Sequence, residues 1–299
     1  MTRKSFRERI GEGILLLDGG MGTEIIARDA KTGSCNEELN ISSPDVIFDI
    51  HKSYIDAGSD AILTNTFGAN AHSLSHRELA DKAFAINTEG VKIARRAAGD
   101  DKYVIGDIGP SGELLVLLEE PGLESLKKVF TEQAEFLTSA GVDAFLIETM
   151  TDIEEALVAV GAVKSVCGDL PVFVSFAFDQ AGGTYKTMMG LDVETAVRRS
   201  AEADIAGVGF NCGSIGLDDY IKLAGQYIEA VAKTGRDLAV LAELNAGAPE
   251  LAGDSVVYKV SFKDYANAAE KIHQAGVNII GGCCGTGPGH IKALAEKLK

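Results

Sequence analysis

Long apolar segments are missing from this sequence. No uninterrupted apolar run reaches about 18 residues, the length that a membrane-spanning helix needs, and this argues against a membrane protein. The first ten residues, MTRKSFRERI, mix charged and polar groups and lead into no apolar stretch of the kind found in secretory signals. We therefore predict a cytoplasmic protein without a membrane partner.

Basic residues are scarce as well. The 299 residues include 28 Lys and Arg against 44 Asp and Glu, which gives a formal net charge of −16. Such a charge repels phosphate backbones, and no basic stripe with interleaved aromatic residues stands out, so a nucleic-acid-binding protein is unsupported. Small molecules and other proteins remain as partners.

Cysteines are few, and several common catalytic motifs are absent. The chain has five cysteines, an odd number with two of them adjacent, which is unlike the disulfide framework of small secreted domains. In a reducing compartment, clustered thiols more often indicate a metal site or catalysis. The absence of GxSxG, P-loop and HExxH patterns weakens serine-hydrolase, NTPase and metalloprotease interpretations.

Apolar residues make up 46% of the chain, enough for a sizeable core, and they occur in short runs that alternate with helical patterns. Continuous apolar runs are typical of parallel strands that are buried on both faces. The eight predicted strands are Ile14–Leu17, Ala61–Leu63, Tyr103–Ile105, Ala144–Ile147, Val172–Phe176, Ala206–Phe210, Leu238–Ala242 and Val277–Ile280. The eight predicted helices are Pro44–Ala57, Glu78–Ala98, Leu123–Ala140, Asp152–Val166, Asp192–Ala203, Asp218–Ala232, Ser261–Ala275 and Pro288–Leu298.

This strict alternation predicts an α/β protein with the fold of a (β/α)8 TIM barrel, and a doubly wound open sheet is the alternative. No Pro/Ser-rich linker or change of composition divides the chain, so we expect a single domain over residues 1–299. Two connections, Asn65–Arg77 and Phe178–Leu191, exceed the usual length of about 4–6 residues and are candidates for the walls of a site.

Cysteines lie where two of the predicted strands end, and barrel enzymes build their active sites at the C-terminal ends of the strands. Cys212 follows the sixth strand, and Cys283 and Cys284 follow the eighth. Three converging thiols suit zinc, which prefers sulfur and nitrogen ligands. Adjacent residues of a regular strand point to opposite faces, so we expect the backbone to leave strand geometry at the cysteine pair. Cys35 and Cys167 are interpreted as ordinary core residues.

Other features of the strand ends allow more than one interpretation. The glycine-rich loop Gly281–Gly289 could bind a phosphate through backbone N–H groups. The loop Gly19–Thr23 is either a tight turn or a set of N–H donors to a carboxylate. Asp18 and Glu148 directly follow apolar strands and form ion pairs or caps, or else accept hydrogen bonds from a ligand ammonium group. The five histidines lie mostly away from strand ends and are treated as non-catalytic.

Six motifs in order, spread over almost the whole chain, resemble the homocysteine S-methyltransferase family. Within that family the sequence looks closest to the homocysteine-binding module of cobalamin-dependent methionine synthase. The two cysteine-containing motifs are the most diagnostic. The motifs are Asp18–Glu24, Leu63–Asn70, Gly106–Glu113, Ile147–Thr149, Gly209–Cys212 and Gly281–Thr286.

The resemblance implies an enzyme that moves a methyl group to the thiol of homocysteine, giving methionine. It implies one zinc ion per chain, held by Cys212, Cys283 and Cys284, with the homocysteine thiolate as a further ligand. It assigns Asp18 and Glu148 to the substrate ammonium group.

The same resemblance implies further substrate contacts. It places the backbone of Gly19, Gly20 and Thr23 near the substrate carboxylate. Asn211, beside the first cysteine, would orient the site or supply a temporary fourth zinc ligand.

The methyl donor is left open by these motifs. The chain ends at Lys299, just after the last predicted helix, so we expect the donor to arrive on a separate methyl-corrinoid protein that carries methylcobalamin. A small onium donor, S-methylmethionine or betaine, is the alternative. Betaine is disfavoured because quaternary ammonium groups are usually bound in an aromatic cage, in which Trp is the most effective residue, and the chain has no Trp. A further alternative is a binding protein and not an enzyme: a non-catalytic subunit that binds zinc and homocysteine within a corrinoid complex.

Overall fold

Eight parallel strands form the centre of the protein, whose structure is a computed structural model that describes residues 3–28, 30, 35–112, 122–247, 250–252 and 255–299. The strands are β1 Leu15–Leu16, β2 Ala61–Leu63, β3 Tyr103–Ile108, β4 Ala144–Met150, β5 Val172–Phe176, β6 Gly207–Asn211, β7 Ala239–Leu244 and β8 Ile279–Gly282. Each of them overlaps a strand predicted from the sequence.

Side chains complete the closure of this sheet into a barrel. The strands are hydrogen-bonded in the order β1-β8-β7-β6-β5-β4-β3-β2, which leaves β1 and β2 as neighbours across a seam. At the seam, the Asp60 N–H donates to the Leu16 carbonyl at 2.7 Å, and the Asp60 carboxylate accepts from the Leu16 N–H at 3.0 Å. The Leu63 N–H donates to the Asp18 carboxylate at 3.1 Å. The predicted (β/α)8 barrel is confirmed, and the open-sheet alternative is wrong.

Within the described residues, eight longer helices surround the barrel, and the sequence patterns predicted most of them well. They are Pro44–Ala57, Ala83–Ala98, Gly122–Ala140, Ile153–Lys164, Val193–Ala201, Leu217–Thr234, Phe262–Gln274 and Pro288–Leu298. The predicted start of the second helix at Glu78 is wrong. Glu78 has a φ of +58°, which no α-helix accommodates, so the chain passes through a 3₁₀ turn, Ala80–Lys82, before the α-helix begins.

Five strands, β3, β4, β6, β7 and β8, extend beyond the apolar runs that predicted them, and three of these extensions contain acidic residues. The run in β3 ends at Ile105 but the strand continues to Ile108, and β4 and β7 likewise continue to Met150 and Leu244. The added segments carry Asp107, Glu148 and Glu243. Strand pairing therefore continues past the apolar core and carries acidic side chains into the upper part of the barrel.

Layers of alternating residues fill the interior of the barrel. An apolar cluster occupies the lower part, and it is closed from below by Phe6 of the short helix Phe6–Ile10. Its members include Ile105, Leu146, Phe173 and Leu241. Because side chains of a strand alternate between its faces, the next inward residues are two positions further along each strand. These residues are Asp107, Glu148, Ser175 and Glu243.

The connections at the C-terminal ends of the strands contain structure of their own. The predicted wall Asn65–Arg77 includes the helix Ala71–Ser75, and Phe178–Leu191 includes the antiparallel pair Asp179–Ala181 and Thr184–Lys186. A second hairpin, which the sequence did not predict, pairs Glu250–Ala252 with Ser255–Val257 after β7. The other short helices are Met21–Ala27 and Leu39–Ser42. Among the described residues, no helix combines the length and the apolar character that crossing a bilayer requires.

Candidate metal centre and substrate pocket

A cavity of about 540 Å³ lies at the C-terminal ends of the strands and collects most of the predicted site residues. Asn211 is buried just outside its lining. The predicted residues that line the cavity are Asp18, Gly19, Gly20, Thr23, Glu148, Cys212, Cys283 and Cys284. The cavity is also lined by residues that were not predicted as site residues, among them Asp107, Glu243 and Tyr258.

The three predicted thiols meet in this cavity. The Sγ atoms of Cys212, Cys283 and Cys284 all lie within 4.8 Å of one another. The Sγ of Cys284 is 3.9 Å from that of Cys212 and 3.9 Å from that of Cys283. Tetrahedral coordination with metal–sulfur bonds of about 2.3 Å separates sulfur atoms by about 3.8 Å. The spacing of the thiols therefore fits a tetrahedral metal ion, and their role as its ligands stays a prediction.

The backbone at Cys212 is strained in order to present its thiol. Cys212 has a φ of +52°, a conformation that non-glycine residues rarely adopt, and Gly213 follows with a φ of +79°. The Tyr220 hydroxyl donates to the Cys212 carbonyl at 2.6 Å and holds this turn. Backbone strain of this kind concentrates at functional sites, where the surrounding structure enforces it.

A different turn brings the adjacent cysteines to the same side. The Cys283 N–H still donates to the Leu244 carbonyl at 2.8 Å, as in a strand, but β8 ends at Gly282. The Cys284 N–H instead donates to the Asn245 side-chain oxygen at 3.0 Å, and the Asn245 amide donates to the Gly213 carbonyl at 2.8 Å. Asn245 thus fastens both cysteine loops together, and the expected departure from strand geometry is present.

The thiols by themselves stabilise a single negative charge. Hydrogen bonds donated by Cys212 and Cys283 lower the pKa of Cys284 to about 3. The pKa of the Cys283 thiol is raised well above its usual range, first by its hydrogen bonds to Cys212 and Cys284 and then by burial. A cation is therefore needed before all three sulfurs can carry charge together.

Tyr258 covers one side of the thiol cluster, and the sequence analysis did not select it. Its hydroxyl hydrogen-bonds to Cys284, and burial followed by the Cys284 charge raises the pKa of Tyr258 to about 12. Its ring packs so closely on Gly285 that a Cβ at that glycine would lie 2.1 Å from a ring carbon. Tyr258 follows an unpredicted hairpin and stands in no motif, so only the folded chain brings it here.

Two predicted carboxyl groups, Asp18 and Glu148, line the same cavity and are deeply buried. Burial raises the pKa of Asp18 well above its usual range. Burial also raises the pKa of Glu148 to about 7, although hydrogen bonds from its neighbours oppose the shift. The Asn211 amide donates to Glu148 at 2.6 Å, and the Asn211 oxygen accepts from Ser175 at 2.8 Å. Asn211 therefore fixes the orientation of Glu148. The amide nitrogen of Asn211 is also 4.0 Å from the Cys283 sulfur, so Asn211 lies between the carboxylate and the thiols.

Asp107 and Glu243 are buried carboxyl residues that the sequence analysis did not select. Asp107 hydrogen-bonds to Glu148, and burial followed by the Glu148 charge raises the pKa of Asp107 well above its usual range. Asp107 Oδ1 and Glu243 Oε2 have no hydrogen-bond partner among the described residues. Their spacing could have identified both residues from the sequence. Each lies two positions after an inward apolar residue of the same strand and therefore also points into the barrel.

The two glycine-rich loops pack on each other. The Gly20 N–H donates to the Thr286 hydroxyl at 3.0 Å, and the Gly285 N–H donates to the Thr23 hydroxyl at 2.9 Å. The Gly287 N–H donates to the His290 ring at 3.1 Å. These N–H groups are engaged within the protein, which disfavours the phosphate-binding interpretation of the second loop. Thr23 supports the cysteine loop, and its predicted contact with substrate stays a prediction.

Comparisons with known proteins identify the family of this chain. A sequence model described as homocysteine S-methyltransferase matches residues 15–298. Methionine synthases of Mycobacterium tuberculosis and Mycobacterium leprae are each 30% identical over 308 residues, covering 97% of this chain and 25% of theirs, so the chain spans about a quarter of their length. Homocysteine methyltransferase MmuM from Escherichia coli, in its metallated form, shares the fold with a TM-score of 0.78 at 22% identity, over 97% of this chain and 98% of that one. The chain belongs to the homocysteine S-methyltransferase family.

Proposed function

We propose that the protein transfers a methyl group to the sulfur of homocysteine, giving methionine, at a zinc ion held by its three clustered cysteines. The observation that carries this proposal is the meeting of three thiols and several buried carboxyl groups in one cavity. A thiol-binding metal beside acceptors for an ammonium group suits a ligand that has both a thiol and an ammonium group, as homocysteine does. The relatives named methionine synthase and homocysteine methyltransferase support the same substrate.

The donor set of the thiol cluster supports zinc. Magnesium and calcium require oxygen ligands, whereas thiolates favour zinc and other soft metals. Cys212, Cys283 and Cys284 would provide three ligands and leave a fourth position open, the usual arrangement of catalytic zinc. When bound, zinc lowers the pKa of a coordinating thiol, so that a nucleophilic thiolate exists at neutral pH. The metallated form of MmuM further supports a metal in this fold.

The carboxyl residues would hold and orient the amino-acid end of homocysteine. Asp18 and Glu148 accept hydrogen bonds from the substrate ammonium group, and Asn211 keeps Glu148 in position. The backbone of Gly19 and Gly20 lies beside the cysteine loop and would face the substrate carboxylate. Such a clamp fixes the thiol next to the metal and reduces the entropy that is lost when the methyl donor arrives.

Exposed apolar side chains around the cavity support a donor that is carried on a protein. Ile26 is 79% exposed and Phe67 is 38% exposed, and both line the cavity. Met188, which is 71% exposed, lies on the connection Phe178–Leu191. A methyl-corrinoid protein must dock over the mouth of the cavity, and exposed apolar groups there favour such a contact. We therefore propose methylcobalamin on a separate corrinoid protein as the donor.

The donor is tested by steady-state assays of the zinc-loaded protein with homocysteine and one of three donors: methylcobalamin, S-methylmethionine or betaine. We expect methionine to form with methylcobalamin, and the Cys283→Ala variant serves as the control for background transfer. Efficient turnover with an onium donor and none with methylcobalamin would overturn the corrinoid proposal. Binding of zinc and homocysteine without turnover on any donor would favour the non-catalytic subunit.

Two broader expectations belong to the same proposal. We propose that residues 1–299 act as one barrel domain, because the family match already extends over residues 15–298. The free thiols of the cluster support action in the cytoplasm, where a reducing environment keeps cysteines unoxidised.

A further inference from the structure

Glu243 is a buried carboxyl residue that has no structural partner for one of its oxygens. It lies in β7, where its Cα pairs with those of Asn211 in β6 and Gly281 in β8. Only 2% of Glu243 is exposed, and its Oε2 has no hydrogen-bond partner among the described residues. Among the described residues, no basic side chain forms an ion pair with this carboxyl group.

Keeping such a group buried is costly for the fold. Desolvation, and then the negative charges of Glu148 and Asp18, raise the pKa of Glu243 well above its usual range. A carboxyl group that destabilises its own surroundings is commonly retained because it serves a ligand. Glu243 lines the cavity, so a ligand can reach it.

Asp107, the other carboxyl residue with an unpartnered oxygen among the described residues, already has a role. Asp107 hydrogen-bonds to Glu148 and so helps to fix one of the proposed ammonium acceptors. Glu243 supports neither Glu148 nor Asp18 through any hydrogen bond that the structure shows. It lines the same cavity as both of them and lies in the same layer of inward residues as Glu148, close to the site where the substrate ammonium would bind.

A primary ammonium group has three N–H donors, and the two proposed acceptors leave room for one more. One oxygen of Asp18 already accepts from the Leu63 N–H, and one oxygen of Glu148 accepts from Asn211. These bonds hold both carboxyl groups in the cavity that Glu243 also lines.

We propose that Glu243 is the third acceptor of the homocysteine ammonium group and makes the pocket selective for a primary amine. This inference rests on the proposed function. Homocysteine would place one N–H on each of Asp18, Glu148 and Glu243. An N-methylated analogue lacks one of these donors, and 4-mercaptobutanoate, which keeps the thiol and the carboxylate, lacks all three.

Calorimetric titration of the zinc-loaded protein tests this assignment with the Glu243→Gln variant, which keeps the shape of the side chain and removes its charge. We expect homocysteine affinity to fall about ten- to a hundredfold, the usual range for a lost hydrogen bond to a charged group. The affinity for 4-mercaptobutanoate should change less than threefold. The preference of the wild-type protein for homocysteine over N-methylhomocysteine should shrink in the variant.

Thermal unfolding provides the second measurement and controls for misfolding. Since one carboxyl oxygen is buried without a partner among the described residues, the variant without ligand should unfold at the same temperature as the wild-type protein or higher. Homocysteine should stabilise the variant less than it stabilises the wild-type protein. Equal loss of affinity for homocysteine and 4-mercaptobutanoate, or no loss for either, would overturn the assignment while leaving the proposed function intact. If the wild-type protein does not bind homocysteine, the proposed function fails and this inference fails with it.

Discussion

Asp18 and Glu148 each accept a hydrogen bond that orients the carboxyl group, and both line the same cavity. We predict that Asp18→Asn and Glu148→Gln each weaken homocysteine binding by about 1.5–3 kcal/mol, since each removes a charged acceptor. Neither carboxyl group belongs to the thiol cluster, so zinc content should be unchanged. Calorimetry and metal analysis of the same samples check both points, and unchanged homocysteine affinity in both variants would show that the carboxyl groups are structural.

The pKa of Glu148 also predicts how binding depends on pH. Burial raises this pKa to about 7, so the residue gains a proton and loses its charge as the pH falls below neutrality. Homocysteine affinity should therefore fall as the pH is lowered from about 8 to about 6. Titration of 4-mercaptobutanoate over the same range isolates the contribution of the thiol. In Glu148→Gln the two ligands should show the same pH dependence, and a remaining difference would assign the effect to another group.

The sequence revealed those residues whose chemistry is unusual at a strand end. The cysteine pair and the acids that directly follow apolar runs could be selected in this way. Glu243 also directly follows an apolar run but was not selected, and neither was Asp107. A single acid at the end of a strand is common, and its cost becomes visible only when its burial is known. The fastening of two loops by Asn245 depends on contacts 32 and 39 residues away along the chain.

The hairpin after β7 brings Tyr258 over the cysteine loop, and this suggests a test of shielding. In metal-free protein, Tyr258→Ala should increase the rate at which iodoacetamide alkylates Cys284, because the ring that packs on Gly285 is removed. Tyr258→Phe keeps the ring and should protect nearly as well as the wild-type residue. Mass spectrometry of timed samples measures the rates. An alanine variant alkylated no faster than the phenylalanine variant would contradict a shielding role.

Strand ends and connections were the elements that sequence patterns located least well. Apolar runs ended too early in β3, β4 and β7, because inward polar residues continue the strands after the core has ended. The left-handed turn at Cys212 was likewise hidden, since a positive φ at a non-glycine residue is imposed by contacts such as that with Tyr220. Helix ends marked by glycine were predictable, because Gly58 and Gly276 adopt the positive φ that closes a helix.

Closure of the barrel is a property of the whole chain that alternation of strands and helices suggests but does not guarantee. The seam between β1 and β2 depends on Asp18 and Asp60, whose side chains accept backbone N–H groups across it. Those contacts join segments more than 40 residues apart. A count of strands and helices therefore predicted the fold class, while the means of closure required the structure.

The open face of the barrel is where a carrier protein would dock, and its charges provide a further prediction. Arg77 and Lys186 lie on the two long connections of this face, Asn65–Arg77 and Phe178–Leu191, and we choose the charge reversals Arg77→Glu and Lys186→Glu. They should change the dependence of methyl transfer on carrier concentration and on salt, because rim charges mainly govern association. Homocysteine affinity and zinc content should stay the same. Lys271→Glu, in the last turn of the helix Phe262–Gln274 and so at the opposite end of the barrel, is the matched control.

Identical salt dependence in the rim variants and in the control variant would contradict docking at the face that carries the cavity. Saturation of the rate with a small onium donor, without any response to rim charge, would contradict it as well.

X-ray absorption at the zinc edge tests the central claim most directly, because it counts the sulfur atoms bound to the metal. The protein loaded with one zinc per chain should show three sulfur ligands, from Cys212, Cys283 and Cys284, and a fourth after homocysteine is added. Cys283→Ala should lose most of its zinc, whereas Cys167→Ala, which changes a cysteine outside the cluster, should keep it. A sulfur count that stays the same when homocysteine binds, or full zinc retention in Cys283→Ala, would contradict the account.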